Sequence, residues 1–279
     1  MSVHSILRSL YYKIPPRGRI IARRLFYLPA DLFRKRDPLT PPKGMIFIGS
    51  GDFRERGKEQ LEAVIKYTSL RPDANVLDVG SGIGRLAVAM TDYLVSAGSF
   101  DGFDVVKDGV LWCEKNITKR FPNFRFKHVD LKNDLYNLST ENEAKSFVFP
   151  YVENSFDVIT LFSVFTHMMP DDIDNYLAEI ARVLKPGGCC VATFFIIDEY
   201  ARKQIDAGQT GEFTFDYSYD GYFLFDDRVK EANVAYDKDY LLQMIAKHQL
   251  LVPTIEYGTW SDHSRGTTQF QDLVVLSKK

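Results

Sequence analysis

Residues 76–90 read VLDVGSGIGRLAVAM: an apolar run, three glycines within five positions, then a second apolar run. Glycine enters left-handed backbone without a steric penalty, so a turn this dense in it can carry a strand sharply into a helix. Such a unit commits the chain to an α/β architecture around a parallel sheet. What the turn cradles depends on its neighbours. A triphosphate loop ends in Lys-Ser or Lys-Thr, and nothing here supplies that pair. A dinucleotide turn reads G-x-G-x-x-G, whereas in G-S-G-I-G the third glycine arrives one position early. Asp78, at the end of the first strand, would repel a pyrophosphate and attract a cationic ligand.

The spacing of apolar residues predicts strands at 75–79, 98–104, 124–128, 156–162 and 189–195. Helices are expected at 54–67, 84–94, 109–119 and 171–184. The last has Ile173, Tyr176, Leu177, Ile180 and Leu184 at helical spacing, Asp171 or Asp172 as N-cap, and Pro186–Gly187–Gly188 as a stop. A helix at 238–248 and strands at 252–257 and 271–277 complete the pattern. The connection between those two strands is too short for a crossover helix, so they should pair antiparallel. Between the fifth strand and that helix, GEFTFDYSYDGYFLFDD (211–227) places Phe213, Phe215, Tyr217 and Tyr219 in alternation and turns at Asp220–Gly221, a hairpin signal. Its aromatic face either covers the acceptor as a flap or covers core.

The motif V-L-D-V-G-S-G-I-G-R resembles the first motif of the class I S-adenosylmethionine-dependent methyltransferases, and further motifs follow in register. Asp104 ends the second strand, Asp130–Leu131 follow the third, F-D-V-I-T-L-F-S-V-F-T-H-M (156–168) resembles the fourth-strand motif, and Y-L-A-E-I-A-R-V-L-K-P-G-G (176–188) the helix and turn before the fifth. The resemblance implies a Rossmann-like seven-stranded, mostly parallel sheet with a C-terminal antiparallel hairpin and helices on both faces. It implies S-adenosylmethionine as cofactor, held in the glycine turn by Asp78, Gly80, Ser81, Gly82, Gly84 and Arg85. Asp104 with Val105 would take the ribose hydroxyls, Asp130 and Leu131 the adenine, and Phe162 the adjoining wall. Residues 1–44 would be an N-terminal extension and 45–279 the methyltransferase domain, with an insertion at about 199–236. A nicotinamide-dependent oxidoreductase and a non-catalytic scaffold of the same fold are the rival readings.

The expected acceptor group is a hydroxyl, with an amine as the alternative, and methyl transfer to a hydroxyl benefits from a base. His167, just past the fourth strand, is the first candidate; its other reading is a residue that orders the loop. A second cluster, TWSDHSR (259–265), offers Asp262 and His263 as an acid–base pair and Trp260 and Arg265 as acceptor contacts, or is solvated surface. Tyr217, Tyr219 and Tyr222 suit stacking on a sugar. The Asn/Asp-Pro-Pro-aromatic run of enzymes that methylate nucleic-acid amino groups is replaced by Leu161–Phe165, so a small-molecule or glycan acceptor is expected rather than nucleic acid.

Charge is unevenly spread. The net of −2 divides into +8 over residues 1–43 and −10 over the remainder, and an acidic body repels a phosphate backbone. Ile21, Leu25, Leu28 and Leu32 fall together on a helical projection, with Arg19 and Arg23 opposite. The basic extension reads as a peripheral contact with anionic membrane or as an arm packed on the acidic body. Pro15, Pro16 and Pro29 should interrupt any long helix there. Cys113, Cys189 and Cys190 form neither a disulfide framework nor a metal-ligand spacing, so no metal is expected and the location is cytoplasmic or membrane-peripheral.

Overall fold

The computed structural model describes residues 14–33, 35–47, 49, 51–262 and 269–279. Two helices, α1 (Pro16–Phe33) and α2 (Phe53–Thr68), precede an alternating series. That series runs β1 (Asn75–Val79), α3 (Arg85–Met90), β2 (Ser99–Asp104), α4 (Lys107–Cys113), β3 (Phe124–His128), β4 (Phe156–Leu161), α5 (Pro170–Val183) and β5 (Leu184–Phe194). Next come β6 (Ile196–Ile197), α6 (Glu199–Asp206), β7 (Tyr217–Ser218), β8 (Tyr222–Leu224) and β9 (Val234–Asp237). The last elements are α7 (Lys238–Lys247), β10 (Leu250–Glu256) and β11 (Asp272–Lys278).

Seven strands form the main sheet in the order β10-β11-β5-β4-β1-β2-β3. The first five strands in sequence run parallel, and β11 pairs antiparallel with both β5 and β10. The parallel strands carry continuous apolar runs because both faces are covered. One face packs Ile173, Leu177 and Ile180 of α5 with Leu241 and Ile245 of α7; the other packs Val64 of α2, Leu86 of α3 and Val110 of α4. Strand order reverses at β1, whose neighbours are β2 and β4, and this leaves a crevice at their carboxyl ends.

Local chemistry explains where several helices begin. The Asp52 carboxylate accepts from the N–H groups of Arg54 and Glu55 and so caps α2. Helix α5 starts one residue earlier than its acidic pair suggests. Pro170 occupies the first helical position, Met169 is the cap, and Asp172 reaches back to the Met169 N–H at 3.4 Å. Helix α3 is shorter than the expected 84–94 and ends at Met90; Thr91 folds its hydroxyl onto the Val88 carbonyl.

Three expectations are corrected. Pro29 does not break the N-terminal segment: it lies inside α1, and Pro16 takes the first helical position, where no amide hydrogen is needed. The insertion is more than a hairpin, since β6, β7, β8 and β9 form a second sheet in the order β6-β9-β8-β7. The aromatic alternation does not run through. Phe215 has φ 51°, a left-handed conformation that resets which side each following residue faces. Phe215 is therefore buried with Phe195 and Trp260, while Tyr217 and Tyr219 are exposed.

Candidate functional site

A cavity of about 500 Å³ opens at the carboxyl ends of β1, β2 and β4. The glycine turn lines one wall, with Gly80, Gly82 and Gly84 all at positive φ. Four of its five amide groups are engaged within the protein. Gly80 and Ser81 donate to the Phe103 carbonyl at 2.9 and 3.1 Å, and Gly84 donates to the Ser81 carbonyl at 2.9 Å. Gly82 donates to Asp104 Oδ2 at 2.7 Å. A phosphate cradle works by aiming such N–H groups at the anion. Here four of them bind the protein itself, so the turn is shaped for a ligand that does not need them.

Two carboxylates line the cavity beside the turn, where they would repel a phosphate. Asp78 and Asp104 are buried at 4% and 7% exposure, and both line the cavity. Thr160 Oγ1 donates to Asp78 Oδ1 at 2.7 Å, and Val106 N donates to Asp104 Oδ1 at 2.7 Å. Burial pushes Asp78 up to about 7, against the Thr160 hydrogen bond, with Asp104 nearby adding to the rise. Burial likewise raises Asp104 to about 6, opposed by the amides of Val106 and Gly82. Poorly solvated anions of this kind are lowered again when a cation or hydroxyl donors arrive. Ser81 adds a buried hydroxyl oxygen that has no hydrogen-bond partner among the described residues. This donor set fits S-adenosylmethionine, which offers an ammonium, a sulfonium and ribose hydroxyls.

The turn tolerates no side chain at Gly80. A Cβ at Gly80 would stand 2.4 Å from Val164 Cγ2, at a φ of 72°. Gly80→Ala should therefore cost about 2–4 kcal/mol from crowding and left-handed strain. Thermal unfolding should show a fall of about 5–10 °C; an unchanged midpoint would contradict the close approach.

Opposite the turn, His167 lines the cavity and is buried, which holds its pKa below the usual value. Its Nδ1 lies 3.0 Å from the Glu231 carbonyl oxygen. A carbonyl can only accept, so Nδ1 carries the proton and Nε2 keeps its lone pair. Beside it, Ser163 has φ 57°, and its hydroxyl donates to Gln271 Oε1 at 2.8 Å. Thr193 Oγ1 donates to the same oxygen at 2.7 Å and accepts from Ser163 N at 2.8 Å. A left-handed non-glycine residue at a strand end, fixed by such a network, is the kind of strain that collects at functional sites.

Of the residues expected from sequence, Asp78, Gly80, Ser81, Gly82, Arg85, Asp104, Val105, Leu131, Phe162 and His167 lie on the cavity wall. Gly84 lies behind it, against Cys113 and Ile117. Asp130 does not reach the wall: it is exposed and accepts from Asn137 Nδ2 at 2.9 Å, leaving Leu131 to face inward. Trp260 is core, at 2% exposure, and its indole N–H donates to Asp272 Oδ2 at 2.7 Å. Tyr217, Tyr219 and Tyr222 stand off the wall, the last two stacked on each other at 4.9 Å. Asp262 accepts from the Tyr200 hydroxyl and is likewise off the wall, while His263 and Arg265 lie outside the described residues.

Sequence reasoning missed Glu231, Gln271 and Phe47, which also line the cavity. Glu231 accepts from the Asp134 N–H, and burial raises its carboxyl to about 7. No motif marks it, because it arrives from the insertion. Phe47 lies in the MIFIGSGDF stretch, where its apolar neighbours gave the only signal.

Comparison with known proteins gives the site a context. A family model described as a methyltransferase domain matches residues 76–188. An uncharacterized methyltransferase, YcgJ, of Bacillus subtilis is 30% identical over 144 residues, which are 51% of this chain and 47% of that protein. The cyclopropane-fatty-acyl-phospholipid synthase of Escherichia coli is 25% identical over 191 residues, 68% of this chain and 43% of the synthase. The chain thus spans less than half the length of these curated relatives. Among solved structures, the 1,6-didemethyltoxoflavin-N1-methyltransferase of Burkholderia thailandensis, with S-adenosylhomocysteine bound, has a TM-score of 0.51 at 17% identity. That match covers 81% of this chain and 78% of that one. A Pyrococcus horikoshii protein has a TM-score of 0.55 at 17% identity, over 84% and 95% of the two chains. These two structural likenesses concern the fold.

Proposed function

We propose that this chain, a class I S-adenosylmethionine-dependent methyltransferase by the domain it carries over residues 76–188, methylates a hydroxyl of a small molecule or glycan. The observation that carries the reading is the pairing of two buried carboxylates with a glycine turn in which four amides are already engaged. That wall turns two carboxylates toward positive charge and ribose hydroxyls and leaves a pyrophosphate few unengaged turn amides, which disfavours the nicotinamide reading. When bound, S-adenosylmethionine supplies a methyl group on an electrophilic sulfonium.

The chain's own residues then have four tasks. Asp78, Asp104 and the Ser81 hydroxyl hold the donor in place. The apolar wall of Phe103, Leu131 and Phe162 excludes water, and fixed alignment in a dry site can lower a barrier by several kcal/mol. His167, neutral and with its proton on Nδ1, takes at Nε2 the proton that the acceptor hydroxyl gives up as its oxygen is methylated. The polar Ser163–Thr193–Gln271 group offers the acceptor hydrogen bonds on the same wall.

Two experiments test this reading. Calorimetric titration should find S-adenosylhomocysteine binding and NADH not binding; the reverse would make the chain an oxidoreductase, and binding of neither would leave a scaffold. A panel of sugars, lipids and phenols, read by mass spectrometry for the gain of one methyl group, then identifies the acceptor. With that acceptor, the rate should rise with pH as His167 loses its proton and flatten above that. Because burial lowers the His167 pKa, the plateau should extend below the ordinary histidine value. His167→Ala should lose about 100- to 10,000-fold in rate; retention of full activity would reduce the imidazole to a loop brace.

A further inference from the structure

The N-terminal helix is docked with its polar side toward the body. Arg19 of α1 is 9% exposed and donates from Nε to the Ile14 carbonyl at 2.9 Å. Arg24 pairs with Asp108 at 2.8 Å. Asp31 accepts from the N–H groups of Lys43 and Gly44 at 2.7 and 2.9 Å, clasping the chain that leads to the cavity. The apolar stripe faces outward: Ile21, Leu25, Phe26, Leu28, Leu32 and Phe33 are 48–87% exposed. Six large apolar side chains on one short helix form a patch that a water-facing surface does not normally carry.

We infer that this face of α1 binds an anionic lipid surface, with the helix lying in the headgroup plane. This goes beyond the reading of the cavity and does not depend on it. Charge decides among occupants. Residues 1–43 carry +8, and Arg23, Lys35 and Lys43 are exposed along and just after the helix. A second copy pairing through the same helix would set like charges against each other, and the other exposed large apolar residues, such as Val95, Leu138 and Val152, come from separate parts of the chain. A bilayer with anionic headgroups complements the cations and receives the apolar side chains together. Phe47, a few residues past the clasped Gly44, stands on the cavity wall, so surface binding would hold the cavity's rim near the headgroups.

Flotation of the full-length protein with vesicles tests the inference. Vesicles of phosphatidylcholine mixed with phosphatidylglycerol should carry the protein upward, those of phosphatidylcholine alone should carry far less, and added salt should weaken the binding. The double substitution Leu25→Asp with Leu32→Asp, at exposed positions, should reduce binding at least ~10-fold. Circular dichroism and S-adenosylhomocysteine titration of that variant should be unchanged, which separates this outcome from failure of the cavity reading. Equal, negligible flotation with both vesicle types would overturn the inference. So would a dimer in sedimentation velocity that the same substitution dissolves while lipid binding stays absent, since the face would then belong to a second copy.

Discussion

Asp104→Ala should abolish measurable binding of S-adenosylhomocysteine. The carboxylate ends β2 at 7% exposure and faces the cavity, where it is the acceptor available to a pair of ribose hydroxyls. A hydrogen bond to a charged group contributes about 1.5–3 kcal/mol, so losing two costs over ~100-fold in affinity. The same carboxylate holds the amides of Gly82 and Val106 at 2.7 Å each, and alanine would also loosen the turn. Asp104→Asn separates the two effects: its single oxygen can serve one amide, and its NH₂ opposes the other, so binding should fall with only modest loss of structure. Calorimetry beside thermal unfolding gives both readouts. Wild-type affinity in Asp104→Ala would remove the carboxylate from the cofactor site.

The same pair of carboxylates sets a pH dependence. Asp78 at about 7 and Asp104 at about 6 stand above their unfolded values. Each therefore contributes stability that is fully present below the unfolded carboxylate range and is lost as pH rises through 6 to 7. The ligand-free protein should weaken over that window. A cationic ligand is favoured by the ionised forms, so its binding should tighten over the same window, by about 10-fold for each pH unit in which one proton is displaced. The rise in unfolding temperature on adding S-adenosylmethionine should accordingly be larger at pH 8 than at pH 5.5. A shift independent of pH would contradict the placement of these two groups.

Asp272→Ala should cost the most stability of any single change considered. The side chain is fully buried and, among the described residues, accepts from Ile196 N at 2.7 Å, Gly258 N at 2.8 Å and the Trp260 indole at 2.7 Å. It stands where β11 of the main sheet meets the start of the second sheet and the aromatic cluster around Phe195. Alanine leaves three buried donors unpaired, at about 1–3 kcal/mol each, against a total stability of about 5–15 kcal/mol. The unfolding midpoint should fall by about 10 °C or more, or the protein should fail to accumulate in soluble form. Trp260→Phe removes one donor and keeps most of the packing, so it should fall between wild type and Asp272→Ala. A shift of under about 2 °C for Asp272→Ala would show that water reaches those groups.

The parts of this molecule that were readable in its sequence are those fixed by local pattern. The continuous apolar runs of β1, β4 and β5 and the spacing of Ile173, Tyr176, Leu177 and Ile180 leave few alternatives to a parallel sheet covered by helices. Once β1 and β2 are placed, Asp78 and Asp104 fall at the carboxyl edge where this class of sheet binds ligands. What escaped depends on tertiary contact. Ile196–Ile197 and Val234–Asp237 are too short to announce themselves as strands, and they exist through pairing with each other. Phe215 gives no warning that it will adopt φ 51°, so the alternation through 213–219 did not reveal that Phe215 is buried while Tyr217 and Tyr219 are exposed. Asp130 and Leu131 were expected as a pair, but adjacent residues point in different directions and only one reaches the wall. The helical stripe of Ile21, Leu25, Leu28 and Leu32 was visible, whereas its outward orientation depends on where Arg24 and Asp31 find partners.

The imidazole of His167 takes its orientation from the main chain of the insertion, through the carbonyl oxygen at position 231. A peptide oxygen is the same whatever residue bears it. Mutational drift at this position would change the side chain on the cavity wall while the tautomer of the histidine passes unchanged from one generation to the next.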